Sequence, residues 1–235
     1  MSGLRLVPKA PTAIPVEAEV LDPLRLAGLS AAAVAALRVW QGNQQGALGD
    51  FFTVDGTGGE EIIIDGDIPH VKWVGHRMGG GRITVRGACG MHAGSGMQGG
   101  ELAILGDAGD YLGAELGGGL ITVGGSGGHH VGAGYPGSPK GMTGGVICIR
   151  GSAGAEVGAA MGRGLIAVLG NVGDLAGVGM RAGTILVGGR TGRHPGAWME
   201  RGSIVAWGEA VLLPTFIYAC TYTPPWLPLS LRAVA

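Results

Sequence analysis

A six-residue segment returns through this chain at a nearly fixed interval. It reads RITVRG from Arg82, ELAILG from Glu101, LITVGG from Leu120, VICIRG from Val146, LIAVLG from Leu165, TILVGG from Thr184 and SIVAWG from Ser203. The starts lie 19, 19, 26, 19, 19 and 19 residues apart, and an irregular copy, EIIIDG from Glu61, precedes them by 21. Self-similarity at this period marks a solenoid built from one small unit per repeat. The second and fourth residues of each unit are apolar, as in Ile83 and Val85, Ile121 and Val123, Ile147 and Ile149, or Ile166 and Val168. This two-residue alternation of mostly β-branched side chains predicts a short strand. A crossover of about a dozen residues, with its helix, does not fit in what remains, so βαβ units are excluded. The predicted class is all-β: a single-stranded parallel β-helix of about eight coils, with an N-terminal helical segment and an irregular C-terminal tail.

Glycine follows each strand, at Gly87, Gly106, Gly125, Gly151, Gly170 and Gly189, and recurs at the ninth and thirteenth positions, as Gly90 and Gly94. Such glycines are structural corners, where the backbone takes a positive φ or passes close to a neighbour; at Gly151 a positive φ is expected. Met97, Leu116, Met142, Met161, Met180 and Met199 close the units and are expected in the core. With 51 glycines and 12 prolines in 235 residues the chain would look disordered if it had no period. Its 46% hydrophobic residues and net charge of −1 argue that it folds. Charged residues, at 14%, fall below the usual level of about 25%, which predicts an outer surface partly covered by other subunits.

Three regions follow. Residues 1–60 form an N-terminal extension with a short helix in LSAAAVAALRVWQGN, capped by Ser30 and ended before Gly42. Residues 61–210 form the β-helix. Residues 211–235 form a tail, apolar and proline-rich, that packs on the solenoid or on a partner. The outward third and fifth strand positions grow more apolar toward the carboxyl end, from Thr84 and Arg86 to Val205 and Trp207, so the tail or another subunit covers them. No secretory leader and no apolar run of about 18 residues is present, which predicts a cytoplasmic protein without a membrane span. Cys89, Cys148 and Cys220 form no CxxC pair and are expected as buried thiols. Sixteen basic residues face 17 acidic ones with no basic run, against nucleic-acid binding.

The sequence offers little catalytic chemistry. GGSGG at 124–128 matches a nucleophile elbow in letters, yet its outer glycines belong to the repeat and no helix follows. His92, His130 and His194 share the eleventh position of their coils. Stacking at about 4.8 Å per coil places the first two roughly 10 Å apart, too far to share a metal ion. No metal site is therefore expected. The 26-residue spacing places seven additional residues in GYPGSPKG at 134–141. An insertion in a solenoid projects from one face. There His129, His130, Tyr135 and Lys140 could meet a partner or an anionic carrier; a loop with no role is the alternative. No catalytic residue stands out.

The segments LSAAAVAALRVWQGN, ALGDFFTVDG, GDAGDYLGAELGGG and LPTFIYACTYTPPWLPL together resemble the C subunit of formylmethanofuran dehydrogenase and its bacterial counterpart in the formyltransferase/hydrolase complex. The coils are also similar to the carboxyl-terminal β-helix of the glutamate synthase large subunit. The resemblance implies a noncatalytic structural subunit of a hetero-oligomer. Its implied partners are a formyltransferase, which is the D subunit, an amidohydrolase-like A subunit and a B subunit. The bacterial complex would transfer formyl from formyl-tetrahydromethanopterin to a methanofuran-type carrier and hydrolyse it to formate. The archaeal one would fix carbon dioxide onto methanofuran with tungsten or molybdenum. No cofactor is expected in this chain, and the metal would lie in another subunit. A stand-alone carbohydrate-active or ligand-binding β-helix remains the alternative.

Overall fold

The computed structural model describes residues 3–233. The amino-terminal part holds β1 (Leu4–Pro8), β2 (Val16–Glu17), α1 (Pro23–Leu26), α2 (Ala31–Ala35), β3 (Arg38–Gln41), β4 (Gln44–Ala47), α3 (Leu48–Phe51) and β5 (Phe52–Asp55). The coils contribute β6 (Glu61–Ile64), β7 (Val71–Lys72), β8 (Arg82–Val85), β9 (Glu101–Ile104), β10 (Leu120–Val123), β11 (Val146–Ile149), β12 (Leu165–Val168), β13 (Thr184–Val187) and β14 (Ser203–Ala206). A short α4 (Leu227–Arg232) ends the described tail. The main sheet has ten strands in the order β14-β13-β12-β11-β10-β9-β8-β6-β1-β5. It is parallel from β14 to β1, and only β5 runs antiparallel. This is the parallel β-helix that the period predicts.

Equivalent residues stack without slippage. Ile147 lies beside Ile166, and Ile166 beside Ile185. The second and fourth strand residues point inward and are fully buried in β10 and β11, while their neighbours face out. Met97, Leu116, Met142, Met161 and Met180 are fully buried, and Met199 packs against the same core from a partly buried position.

Two different reasons call for glycine at the corners. Gly94, Gly113, Gly132, Gly158, Gly177 and Gly196 have φ between 58° and 72°, the left-handed region that a Cβ disfavours. Gly87, Gly106, Gly125, Gly151, Gly170 and Gly189, after the strands, do not, which corrects the expected positive φ at Gly151. Close approach is what excludes a side chain there. The Gly151 amide donates to the Gly125 carbonyl at 2.8 Å, and Gly170 and Gly189 continue the ladder at 2.8 and 2.9 Å. A Cβ at Gly151 would collide with Ser126 Oγ and lie 2.7 Å from the Gly125 carbonyl oxygen. Polar side chains complete the corner. Asp107 Oδ1 accepts from the Ser126 amide, Ser126 Oγ from Ser152, Ser152 Oγ from Asn171, and Asn171 Oδ1 from Arg190.

The amino-terminal residues continue the stack. In β1, Leu4 and Leu6 pair with Ile62 and Ile64 and are fully buried, one further rung of the aliphatic ladder. Val16, Val39, Leu48 and Phe52 belong to the same buried cluster as the coils. The expected helix is shorter than its pattern: Ser30 caps it by accepting from the Ala33 amide, but it stops at Ala35. Residues 38–41 form β3, which turns tightly through Gly42 and Asn43 into β4 and also pairs with β2. Helices this short are marginal alone, and strand pairing takes the β-branched and aromatic Val39 and Trp40.

At the other end Leu227 of α4 rests on Leu165, Ala167 and Leu186, so the tail covers part of the outward sheet face. Leu105 and Leu169 on that face stay exposed. The thiols differ from the expectation: Cys89 is buried, its pKa pushed up to about 12 by desolvation, whereas Cys148 is half-buried and Cys220 exposed. Cys220 sits on the tail, outside the repeat that buries the other apolar positions. Among the described residues no helix is long and apolar enough to cross a membrane.

The register has direct consequences for stability. Ile166→Ala, which empties one rung of the ladder, should cost about 2–5 kcal/mol in urea unfolding. Gly151→Val, which forces adjacent coils apart, should cost about 1–3 kcal/mol by the same measurement.

Candidate functional site

One corner of the coils carries side chains in the left-handed conformation without glycine. Trp73, His92, Tyr111, His130, Glu156, Leu175 and His194 occupy it, with φ from 57° to 66°. Because coils repeat at ring-stacking distance, the first four form a continuous aromatic column. Trp73 and His92 stack with centroids 4.3 Å apart and planes 11° from parallel. His92 to Tyr111 is 5.3 Å, and Tyr111 to His130 is 4.6 Å. Offset stacking in this range adds to what burial alone supplies. The two histidines are thus separated by a tyrosine ring. Among the described residues no group of three or more His, Cys, Asp or Glu side chains is arranged to hold a metal ion.

The insertion folds back onto this column. The Tyr135 hydroxyl lies 2.9 Å from His92 Nδ1 and 2.9 Å from Ser95 Oγ, and its ring stacks on Tyr111 at 5.1 Å. Its amide donates to Glu115 Oε1 at 3.4 Å. Burial pushes the Tyr135 pKa up, so the hydroxyl stays neutral and available to both partners. The loop is therefore tied to a coil two turns earlier.

The sequence-predicted residues divide accordingly. Tyr135 and His130 face the column, and His130 Nδ1 approaches Glu156 Oε2 at 3.5 Å. His129 is exposed, and its Nδ1 accepts from the Ala155 amide at 3.0 Å, a corner bond like those of the aspartates. Lys140 is exposed at the far side of the loop, making no ion pair among the described residues. The structure does not bring all four into one pocket. Trp73 and Tyr111 were not anticipated; rings at 92, 111 and 130, spaced by 19, were the available signal.

No reactive dyad results. Ser95 sits next to the Tyr135 and His92 pair, but at 1% exposure it is closed to a substrate. Ser126 serves the corner ladder. An open groove of about 520 Å³ runs over the outward sheet face, lined by Leu105, Thr122, Cys148, Arg150 and Leu169, and it reaches Ala233. It contains a thiol whose pKa burial raises, away from nucleophilic reactivity, and no carboxylate.

A chain in the crystal structure of the formyltransferase/hydrolase complex FhcABCD from Methylorubrum extorquens, in complex with methylofuran, superposes with a TM-score of 0.86 and 32% identity. The match covers 97% of this chain and 86% of that one. Curated relatives match part of the chain. The C subunit of molybdenum-containing formylmethanofuran dehydrogenase 1 is 40% identical over 94 residues in Methanothermobacter wolfeii and 42% over 97 residues in Methanosarcina barkeri. Each match spans 39% of this chain. This chain belongs to the family of the chain it matches in that formyltransferase/hydrolase complex, and part of it is homologous to formylmethanofuran dehydrogenase C subunits. The matched segments span only 24% and 32% of those two relatives' length. The C subunit of tungsten-containing formylmethanofuran dehydrogenase 2 from Methanothermobacter wolfeii is 38% identical, over 41% of this chain and 37% of its own. No family model matches the chain.

Tyr135→Phe removes the hydroxyl and leaves His92 and Ser95 without their shared partner. It should lower unfolding stability by roughly 1 kcal/mol and speed proteolytic nicking of residues 136–140. Burial also holds His70, His76 and His92 below the ordinary histidine pKa, assisted at His92 by Lys72 and opposed by Asp110. The unfolded chain gains protons near pH 6.5 that the folded chain refuses, so stability is full above that pH and lost as pH falls below it. Melting temperatures measured from pH 8 to pH 5 should decline below about 6.5, and His92→Asn should flatten the decline.

Proposed function

We propose that this chain is the noncatalytic β-helix subunit of a bacterial-type one-carbon complex. That complex transfers formyl from formyl-tetrahydromethanopterin to a methanofuran-type carrier and hydrolyses it to formate. The observation that carries the reading is the fit along 97% of the chain, at 32% identity, to a chain of the formyltransferase/hydrolase complex. That no group of three or more His, Cys, Asp or Glu side chains is arranged to hold a metal ion among the described residues, and that Ser95 beside the Tyr135 and His92 pair is closed to a substrate, supports a scaffold role. The partners are the formyltransferase, the amidohydrolase-like protein and the remaining B subunit; the metal and the carrier belong to them. Lys140 and His129 at the insertion meet a companion or the carrier's acidic part, while Tyr135 and His130 hold the loop in place. Free thiols at Cys89, Cys148 and Cys220 support a reducing, cytoplasmic setting.

A second reading, the equivalent subunit of an archaeal-type molybdenum or tungsten formylmethanofuran dehydrogenase, draws on the 40% identity over 94 residues to the C subunit of the molybdenum enzyme. A carbohydrate-active β-helix has less support, because the third and fifth strand positions from Thr84 to Trp207 carry no carboxylate.

Co-expression of the tagged chain with the other three subunits encoded in the same genome tests the proposal. All four should elute together with formyl transfer and formate release. Omitting this chain should disperse the rest, whereas full activity of the other three without it would refute the scaffold role.

A further inference from the structure

The two ends of the rod are finished differently. At the amino end Leu4, Leu6 and Phe52 close the core. At the carboxyl end Trp198, Ile217 and Tyr218 are 85%, 87% and 79% exposed, and Trp207, Leu212 and Tyr222 are exposed beside them in sequence. A folded monomer rarely leaves this much large apolar surface in one region. The tail does not seal the last coil either: an open cavity of about 420 Å³ separates them, lined by Met199, Ile204, Leu212, Phe216, Tyr222 and Trp226. A solenoid needs its terminal coil covered, and here the cover is incomplete.

Charge along the carboxyl-side coils and the tail is one-sided as well. Residues 163–235 carry six arginines against three carboxylates. Arg193 pairs with Asp174, while Arg163, Arg181, Arg190, Arg201 and Arg232 make no ion pair among the described residues. Residues 1–125, in contrast, hold 13 carboxylates and eight basic residues.

These features select the occupant. A second copy related by a two-fold axis would set arginines against arginines. A head-to-tail copy would have to seat on the amino end, where exposed Val7, Ile14, Leu24 and Trp40 lie on four separate segments and make no matching patch. We infer that the carboxyl end, formed by Trp198, residues 212–222 and the exposed arginines of the last coils, Arg181, Arg190 and Arg201, docks a different protein chain whose contact surface has an apolar centre and an acidic rim. An apolar side chain from that partner fills the cavity, and the arginines meet its carboxylates. The inference rests on the proposal that the chain works as one member of a complex, and it names the surface.

The test measures binding of the intact chain to the purified companion subunits of the formyltransferase/hydrolase complex by biolayer interferometry. Three double variants are compared: Ile217→Asp with Tyr218→Asp, Arg181→Glu with Arg201→Glu, and, at the amino end, Ile14→Asp with Leu24→Asp. All six positions are exposed, so melting temperatures should stay at the wild-type value. Each carboxyl-end pair should weaken binding by about tenfold or more, and the amino-end pair should leave it unchanged. Wild-type binding should weaken as salt rises from about 0.1 M to about 0.5 M, and the arginine reversal should remove most of that dependence. Wild-type affinity in both carboxyl-end pairs would overturn the docking surface while leaving the proposed role in the complex intact. A wild-type chain that binds no companion would overturn both.

Discussion

Successive corner glycines hydrogen-bond to one another through their backbones, and this contact sets how closely the coils approach. The amides of Gly125, Gly151, Gly170 and Gly189 each donate to the glycine carbonyl one coil earlier, at 2.8–3.0 Å. A side chain at any of them would hold the coils apart. Once that spacing is set, the isoleucine ladder stacks in register, aspartate and serine side chains reach the next coil's amides, and aromatic rings fall at stacking distance. Low charge and high glycine content are two aspects of one design, in which backbone rather than side chains makes most of the corner contacts.

Much of this was legible in the sequence. The alternation within β8–β14 combined with the 19-residue interval to specify both strand positions and register. The amino-terminal rung was not: LRLVP lacks the corner glycine, and its place beside Ile62 and Ile64 depends on a long-range pairing. The helix pattern from Ser30 ran on into Val39 and Trp40 because local propensity says nothing of the β2 and β4 partners waiting there. Glycine at 151 was recognised, but its reason was not, since a close approach and a left-handed φ leave the same letter.

The candidate site was legible in outline only. Spacing placed His92 and His130 on one line and correctly kept them apart. The Tyr111 ring between them, and Trp73 beyond, went unnoticed because neither ring is a metal ligand of the kind that histidine spacing brings to mind. The inward turn of Tyr135 could not be read at all, since the contacts it makes with His92 and Ser95 lie 43 and 40 residues away. The features that the 19-residue repeat does not dictate lie at the surface, as with Tyr135, and at the two ends of the rod.

A stack in which each layer touches only the next behaves as a one-dimensional array, able to fray from either end. Tyr135 breaks that rule by skipping a layer, from the coil of Leu120 back to that of Arg82. It works as a staple, joining three consecutive layers into one cooperative block on the amino side. Beyond Val146 the layers are bridged only from outside, where Leu227 rests on Leu165 and Leu186, and the last coil borders an open cavity, so hydrogen exchange should advance inward from that side. The half of the molecule inferred to dock a partner is then also the half that can most easily yield to it.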